Sequence, residues 1–255
     1  MIRVTQADFS YPGAIRPALS GIDLEIGDGE YVAFLGANGS GKSTLARLLN
    51  GLEVPHSGWV EVDGLDTRRD GLLVRQRLQL VFQNPEEQAV GLTVGEDLAF
   101  GLANLGVARE DFSRRIDEAL TAVGWTVSTD SPVHRLSSGE KQKLALASVL
   151  VLEPRHLVLD EPTAFLDPRS RQEFLASLHR ARQHRGFTLI HITHRLEDVL
   201  EAGRWLVFAA GRLEGDRSPE EWAQAPTFLQ SRGVEPPFSH RLRDALKLSG
   251  VEVVS

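Results

Sequence analysis

Nine residues constrain this chain more than any others. Residues 36–44 read Gly-Ala-Asn-Gly-Ser-Gly-Lys-Ser-Thr, the pattern G-x-x-x-x-G-K-[ST]. Gly36, Gly39 and Gly41 can take backbone angles closed to other residues, so the chain can curl around a polyphosphate. The successive N–H groups of Gly36, Ala37, Asn38, Gly39, Ser40 and Gly41 then form an anion nest. The helix that such a loop opens adds the positive end of its dipole. Lys42 supplies charge for β- and γ-phosphates, Ser43 a hydroxyl for Mg²⁺, and Thr44 completes the motif. A strand must precede the loop and a helix must follow it. Residues 31–35, Tyr-Val-Ala-Phe-Leu, are an apolar run fit for a buried strand. Residues 45–51 show helical spacing and stop at Gly51.

Around this loop the pattern of the chain changes twice. The N-terminal part alternates at Ile2, Val4, Leu19, Ile22, Leu24, Ile26, Trp59, Val60 and Val62, punctuated by Gly-Asp-Gly and Asp-Gly turns. That predicts a β-rich layer beside the loop. From about residue 84 helical spacing takes over, over residues 94–105, 112–123 and 138–152. Strand signals return at 157–159, 188–193 and 205–210 with helical stretches between them, which reads as βαβ units in a parallel sheet. Ser218-Pro219-Glu220-Glu221 is a further helix start. No run approaches the ~20 apolar residues of a membrane span. The net charge of −7 argues against a protein that coats nucleic acid. The absence of cysteine excludes thiolate metal sites and cysteine nucleophiles.

Two further groups carry chemistry. Residues 157–161, Leu-Val-Leu-Asp-Glu, end an apolar strand in two carboxylates. Beside a phosphate loop, Asp160 is placed to hold Mg²⁺ and Glu161 to polarise an attacking water as general base. Residues 136–140, Leu-Ser-Ser-Gly-Glu, open the long helix at 138–152. Its positive end is an anion site, and Ser137 or Ser138 can also simply cap it.

Taken in order, these segments resemble the ATP-binding subunits of ATP-binding-cassette (ABC) transporters. Residues 36–44 match the family's Walker A loop and residues 157–161 its Walker B strand. Residues 136–140 resemble the LSGGQ signature, Gln83 the Q-loop glutamine, Asp167 in Ala-Phe-Leu-Asp the D-loop, His194 the switch histidine and Tyr11 the aromatic that stacks on adenine. The resemblance implies an α/β P-loop NTPase: a RecA-like core, an antiparallel β subdomain and a helical insertion at about 84–154. The ATPase domain is then 1–235, with a small C-terminal element at 236–255. It also implies ATP hydrolysis with Mg²⁺ held by Ser43, Gln83 and Asp160, and catalysis by Glu161, His194, Lys42 and Gln83. Two protomers would pack head to tail, each site completed by Ser137, Ser138, Gly139 and Glu140 of the other. One departure stands out. The family usually has Gly-Gly-Gln where this chain has Ser138-Gly139-Glu140.

Residues 81–88, Val-Phe-Gln-Asn-Pro-Glu-Glu-Gln, and 93–101, Thr-Val-Gly-Glu-Asp-Leu-Ala-Phe-Gly, are similar to those of energy-coupling-factor (ECF) importers. That implies vitamin or cobalt and nickel uptake. The expected partners are a second ATPase subunit, a transmembrane coupling protein and a substrate-capturing membrane protein, met at the cytoplasmic face of the membrane. Another importer or exporter motor, a soluble ABC ATPase and a slowly hydrolysing ATP-gated scaffold are the competing readings.

Overall fold

The computed structural model of the protein describes residues 1–235. In chain order the elements are β1 (Ile2–Phe9), β2 (Leu19–Ile26), β3 (Tyr31–Leu35), α1 (Lys42–Leu49), β4 (Ser57–Val62), β5 (Leu65–Asp66), α2 (Gly71–Arg77) and β6 (Leu78–Val81). Then come α3 (Val94–Asn104), α4 (Phe112–Ala122), α5 (Ser138–Leu150), β7 (His156–Asp160), α6 (Pro168–Arg185), β8 (Thr188–Thr193), β9 (Arg204–Ala209), β10 (Arg212–Arg217), α7 (Pro219–Ala223) and α8 (Pro226–Ser231).

Alternation builds the first layer. Ile2 and Val4 of β1 lie opposite Ile26 and Leu24 of β2, and opposite Val62 and Val60 of β4. All six are buried, so each strand turns one apolar face inward. The resulting four-stranded sheet has the order β2-β1-β4-β5. The second sheet has six strands in the order β10-β9-β3-β8-β7-β6, parallel except for the edge strand β10. Its central strands are buried on both faces, so their sequences are continuous apolar runs rather than alternating ones.

The six-stranded sheet divides the core in two. One face carries α1 and the antiparallel layer, with Leu45, Leu48 and Leu49 packed among Phe34, Phe208 and the inner residues of β1 and β2. The other face carries the helices, joining Leu98, Leu102, Leu120, Leu144 and Leu150 to Phe174 and Leu178 of α6. Fully burying one such Leu or Phe stabilises the fold by about 1.5–3 kcal/mol.

The helices start where their sequences say they should. Thr93 and Glu96 form a reciprocal capping box on α3, and Ser218 and Glu221 form one on α7. Two elements had no signal in the sequence. Helix α2 leaves Leu72 and Leu73 exposed and buries only Val74, so it has no apolar stripe. Strand β10, Arg-Leu-Glu-Gly-Asp-Arg, is a polar edge that exists because β9 offers it a ladder. The C-terminal element expected at 236–255 lies outside the described residues.

Candidate nucleotide site

The sheet order decides what meets what. β3, β8 and β7 are neighbours, with Leu35 level with Thr193 and Asp160 level with Ile192. Their carboxyl ends therefore release the glycine loop, the segment holding His194 and the two carboxylates side by side. In open α/β sheets this edge is where ligands bind. A cleft of about 410 Å³ opens there, lined by Tyr11, Ala18, Asn38, Gly39, Gly41, Lys42, Ser43, Thr44, Gln83 and Glu161.

The loop keeps its curl by close approach. Gly36 has φ of 142°, and a Cβ there would lie 2.2 Å from the Phe208 carbonyl oxygen. Gly41, at φ 105°, would place a Cβ 2.7 Å from the Ala18 oxygen. Neither position admits a side chain. The loop does not turn every residue toward the cleft. Gly36, Ala37 and Ser40 do not line it, and the Ala37 N–H donates to the Arg232 carbonyl at 2.7 Å. Ala37 is thus a fastening point of the loop and not, in this conformation, a phosphate donor.

Lys42 is buried, and its ammonium donates to the carbonyls of Gly36 (2.8 Å) and Ala37 (2.9 Å) and to Ser40 Oγ (3.2 Å). An ammonium has three protons, so the loop occupies them all. A phosphate must draw the lysine off at least one. Burial pushes the Lys42 pKa down, against the pull of Glu161 and Asp160, which favour its charge. Ser43 Oγ donates to Asp160 Oδ1 at 3.0 Å. Burial raises the Asp160 pKa, and the Ser43 hydrogen bond opposes that. A hydroxyl and a carboxylate converging at this distance are a hard-oxygen pair suited to Mg²⁺.

Glu161 follows directly and is held in a left-handed conformation, φ 48°, with its N–H on the Ile192 carbonyl at 3.0 Å. Such strain in a non-glycine residue persists only where its surroundings over-determine it. It aims the side chain back at His194, whose Nδ1 lies 2.9 Å from Glu161 Oε1. With the carboxylate ionised, Nδ1 must be the donor. Behind this pair lies a buried network that the sequence did not disclose. Asp198 accepts from Thr163 Oγ1 (2.6 Å) and from Arg171, tying the chain after Glu161 to the chain after His194. The available signal, an acid four residues past His194, has no meaning until its burial is known.

Tyr11 packs edge-on against Phe9 with ring centres 5.0 Å apart, and its hydroxyl lies 3.3 Å from Thr44 Oγ1. Gln83 enters the cleft from the end of β6. Ala18 lines it too, a residue with no chemistry to betray it in the sequence.

The remaining predicted residues lie elsewhere. Ser137, Ser138, Gly139 and Glu140 do not line this cleft. Ser137, not Ser138, caps α5, and Glu140 closes a capping box by accepting from the Ser137 N–H (2.9 Å) and hydroxyl (2.8 Å). Those bonds hold the Glu140 carboxyl below its usual range. Gly139 packs on α6, where a Cβ would meet Ser170 at 3.0 Å. Asp167 of the D-loop caps α6, accepting from the N–H groups of Arg169 (3.0 Å) and Ser170 (3.1 Å).

Comparison with known proteins agrees with this architecture. The ABC transporter family matches residues 19–164. The chain is 40% identical over 252 residues to the energy-coupling factor transporter ATP-binding protein EcfA1 of Lacticaseibacillus paracasei, covering 98% of this chain and 91% of that protein. It is 43% identical over 258 residues to the cobalt import ATP-binding protein CbiO of Syntrophus aciditrophicus, covering 99% and 91%. The structure of CbiO1 from Clostridium perfringens, part of the ABC transporter complex CbiONQ, superposes with a TM-score of 0.81 at 34% identity over 95% of this chain and 98% of that one. The chain belongs to the ABC transporter family, among the ATP-binding subunits of the energy-coupling-factor type.

Proposed function

We propose that the chain binds ATP with Mg²⁺ and hydrolyses it to drive an ECF-type importer of vitamins or of cobalt or nickel ions. The observation that carries this reading is one cleft shared by Lys42, the Ser43 hydroxyl and the Glu161 carboxylate, with Asp160 on Ser43 and His194 on Glu161. ATP would lie with its base against Tyr11 and its phosphates on Asn38, Gly39, Gly41 and Lys42. Ser43, Asp160 and Gln83 would hold the divalent cation, which neutralises charge on the β- and γ-phosphate oxygens. Glu161 would take the proton of the attacking water as its oxygen bonds to the γ-phosphorus, while the bond from that phosphorus to the β–γ bridging oxygen breaks and its electron pair leaves with ADP. His194 would keep that carboxylate in line. Orientation and charge placement of this kind make up most of the catalysis of phosphoryl transfer.

The signature turn of the family pattern, residues 137–140, lies outside the cleft. The reading therefore includes a second ATPase subunit, identical or paralogous, that supplies this turn. No described helix is long and apolar enough to cross a membrane. Membrane attachment would come through a transmembrane coupling protein and a substrate-capturing membrane protein, with this chain on the cytoplasmic face. Residues 1–235 would form the ATPase domain, with the helices between 84 and 154 as its signature-bearing insertion.

Affinity purification from detergent-solubilised membranes tests the assignment. Recovery with a small multi-span membrane protein, and ATP hydrolysis abolished by EDTA, is the expected result. Recovery with ribosomes or DNA and no membrane protein would overturn it.

A further inference from the structure

The phosphate loop and the switch loop are fastened to a common third element. The Ala37 N–H donates to the Arg232 carbonyl at 2.7 Å, and the Glu235 N–H donates to the His194 carbonyl at 2.7 Å. Glu235 also pairs in parallel with Arg195, and the Leu196 N–H reaches its carbonyl at 3.4 Å. Four residues, 232–235, thus span from the loop that cradles phosphate to the residue that holds the catalytic carboxylate. Between the two fastenings Gly233 has φ of 72°, and a Cβ there would lie 2.7 Å from Ala37 Cβ and 3.3 Å from its nitrogen. Val234 is buried.

This segment is itself anchored. Arg232 pairs with Glu214 of β10 and lies 4.8 Å from the centre of the Phe228 ring. Phe228 stacks on Trp222 at 5.3 Å, and the Trp222 indole N–H donates to the Trp205 carbonyl on β9 at 2.9 Å. These contacts tie residues 232–235 to β9 and β10.

We infer that residues 232–235 are a positioning strap that fixes the phosphate loop and His194 relative to each other, so that ATP affinity and turnover depend on it although none of its side chains touches ATP. The inference rests on the assignment of residues 36–44 as the phosphate cradle and of His194 as the partner of Glu161. A strap of this kind works because a backbone hydrogen bond sets position without adding charge. A shift of about 1 Å in a catalytic group can cost 10²-fold in rate.

The test exploits glycines of matched backbone. Gly106 has φ of 68°, and a Cβ there would meet nothing within 4 Å, so Gly106→Ala carries the same left-handed strain without the contact. Gly233→Ala adds the push on Ala37, and Gly233→Asn adds it while tolerating the left-handed conformation better. The full chain is measured alone for fluorescent ATP-analogue affinity and thermal midpoint, and in the complex with its co-purified partner subunits for kcat and KM of ATP hydrolysis. Both Gly233 variants are expected to weaken nucleotide binding tenfold or more, while Gly106→Ala shifts only the thermal midpoint. If Gly233→Asn folds and binds nucleotide like the parent, the strap is refuted. The link to His194 is read by a cycle: in a His194→Ala background Gly233→Asn should lower kcat less than in the parent. Equal effects in both backgrounds would overturn the two-loop coupling. Lys42→Ala separates the two ideas, because normal ATP binding by that variant would remove the cradle assignment itself, whatever the strap does.

Discussion

The phosphate cleft and the signature turn are both built from a loop that opens a helix, yet they are finished differently. At the cleft, α1 begins at Gly41 with no side-chain cap. No side chain meets its first N–H groups. At the signature, α5 begins under a complete capping box of Ser137 and Glu140. Orphan donors at a helix start must be met by a cap, by water or by a ligand. The α5 end uses a cap, and the α1 end has none. The uncapped end sits where Lys42, Ser43, Gln83 and Glu161 converge on the cleft. The capped end sits on the surface with Ser137 and Ser138 exposed, and nothing of this chain's own cleft reaches it. One region is organised to hold charge, the other to present a stable edge to something else.

The sharpest way to break this contrast is at the chemistry of the cleft. Glu161→Gln removes the proton acceptor but keeps the shape and the contact to His194. Turnover should fall by roughly 10²–10⁴-fold, the usual contribution of a general base. ATP affinity should survive, and with its partner subunit the variant should form an ATP-dependent dimer in gel filtration. A variant that still turns over near the parent rate would show that the strained carboxylate is only structural. Lys42→Ala should act on binding instead, raising the dissociation constant for ATP beyond the measurable range by calorimetry. Its ammonium is buried against three loop acceptors, so some loss of thermal stability should accompany it.

Acid should separate the two regions. His191 on β8 is fully buried, three residues before His194, with Nδ1 3.3 Å from the Tyr31 hydroxyl. Burial pushes its pKa down to about 4, with Asp198 opposing and His179 and Arg171 assisting. As pH falls from 6.5 toward 4 the unfolded chain takes up this proton and the folded chain does not. Stability is therefore lost across that window, by about 3 kcal/mol for a shift of this size. Glu140 has the same sign but a lower window. Its folded pKa is below the ordinary 4.5, so its contribution is fully present above 4.5 and fades only as pH falls through the lower folded value. Urea midpoints at pH 7 and 4.5 should drop steeply for the parent and less for His191→Gln. Amide exchange at residues 137 and 140 should keep its cap protection over the same range. Equal slopes for parent and variant would show that His191 does not set the acid sensitivity of the fold.

How much of this was legible beforehand depends on what each residue's role requires. Lys42, Ser43, Asp160 and Glu161 belong to motifs whose chemistry is written in residue type and spacing, His194 was legible only through the family resemblance, and the sheet brings all five to one edge. Helix α4, whose burial follows the helical period, and β8, a continuous apolar run buried throughout, were legible from their patterns. Four things were not. Helix α2 and strand β10 lack a periodic apolar face and are held by their neighbours. Asp198 and Arg171 read as surface charges until the fold buries them together. The fastening of Ala37 to Arg232 uses only backbone atoms, which leave no trace in the identity of a side chain. The direction of Glu140 was equally hidden, since the same letter could face a nucleotide or its own helix.

That direction yields the smallest expected effect and the most pointed comparison. The Glu140 carboxylate turns back onto Ser137, so its charge is already spent on the helix start. Glutamine can close the same box. Glu140→Gln should therefore change turnover by less than about threefold, under ~0.7 kcal/mol in barrier. Ser137→Ala, which deletes the cap, should cost about 1 kcal/mol of stability by chemical denaturation. Ser138 lies just inside the helix with an exposed side chain and no hydrogen bond to the box. Ser138→Gly should lower helix stability slightly while leaving the cap in place. If the double variant Ser138→Gly, Glu140→Gln hydrolysed ATP more than tenfold faster than the parent, the capped turn would be a brake on the neighbouring site. The contrast between an open cradle and a finished edge would then be one of activity as well as of structure.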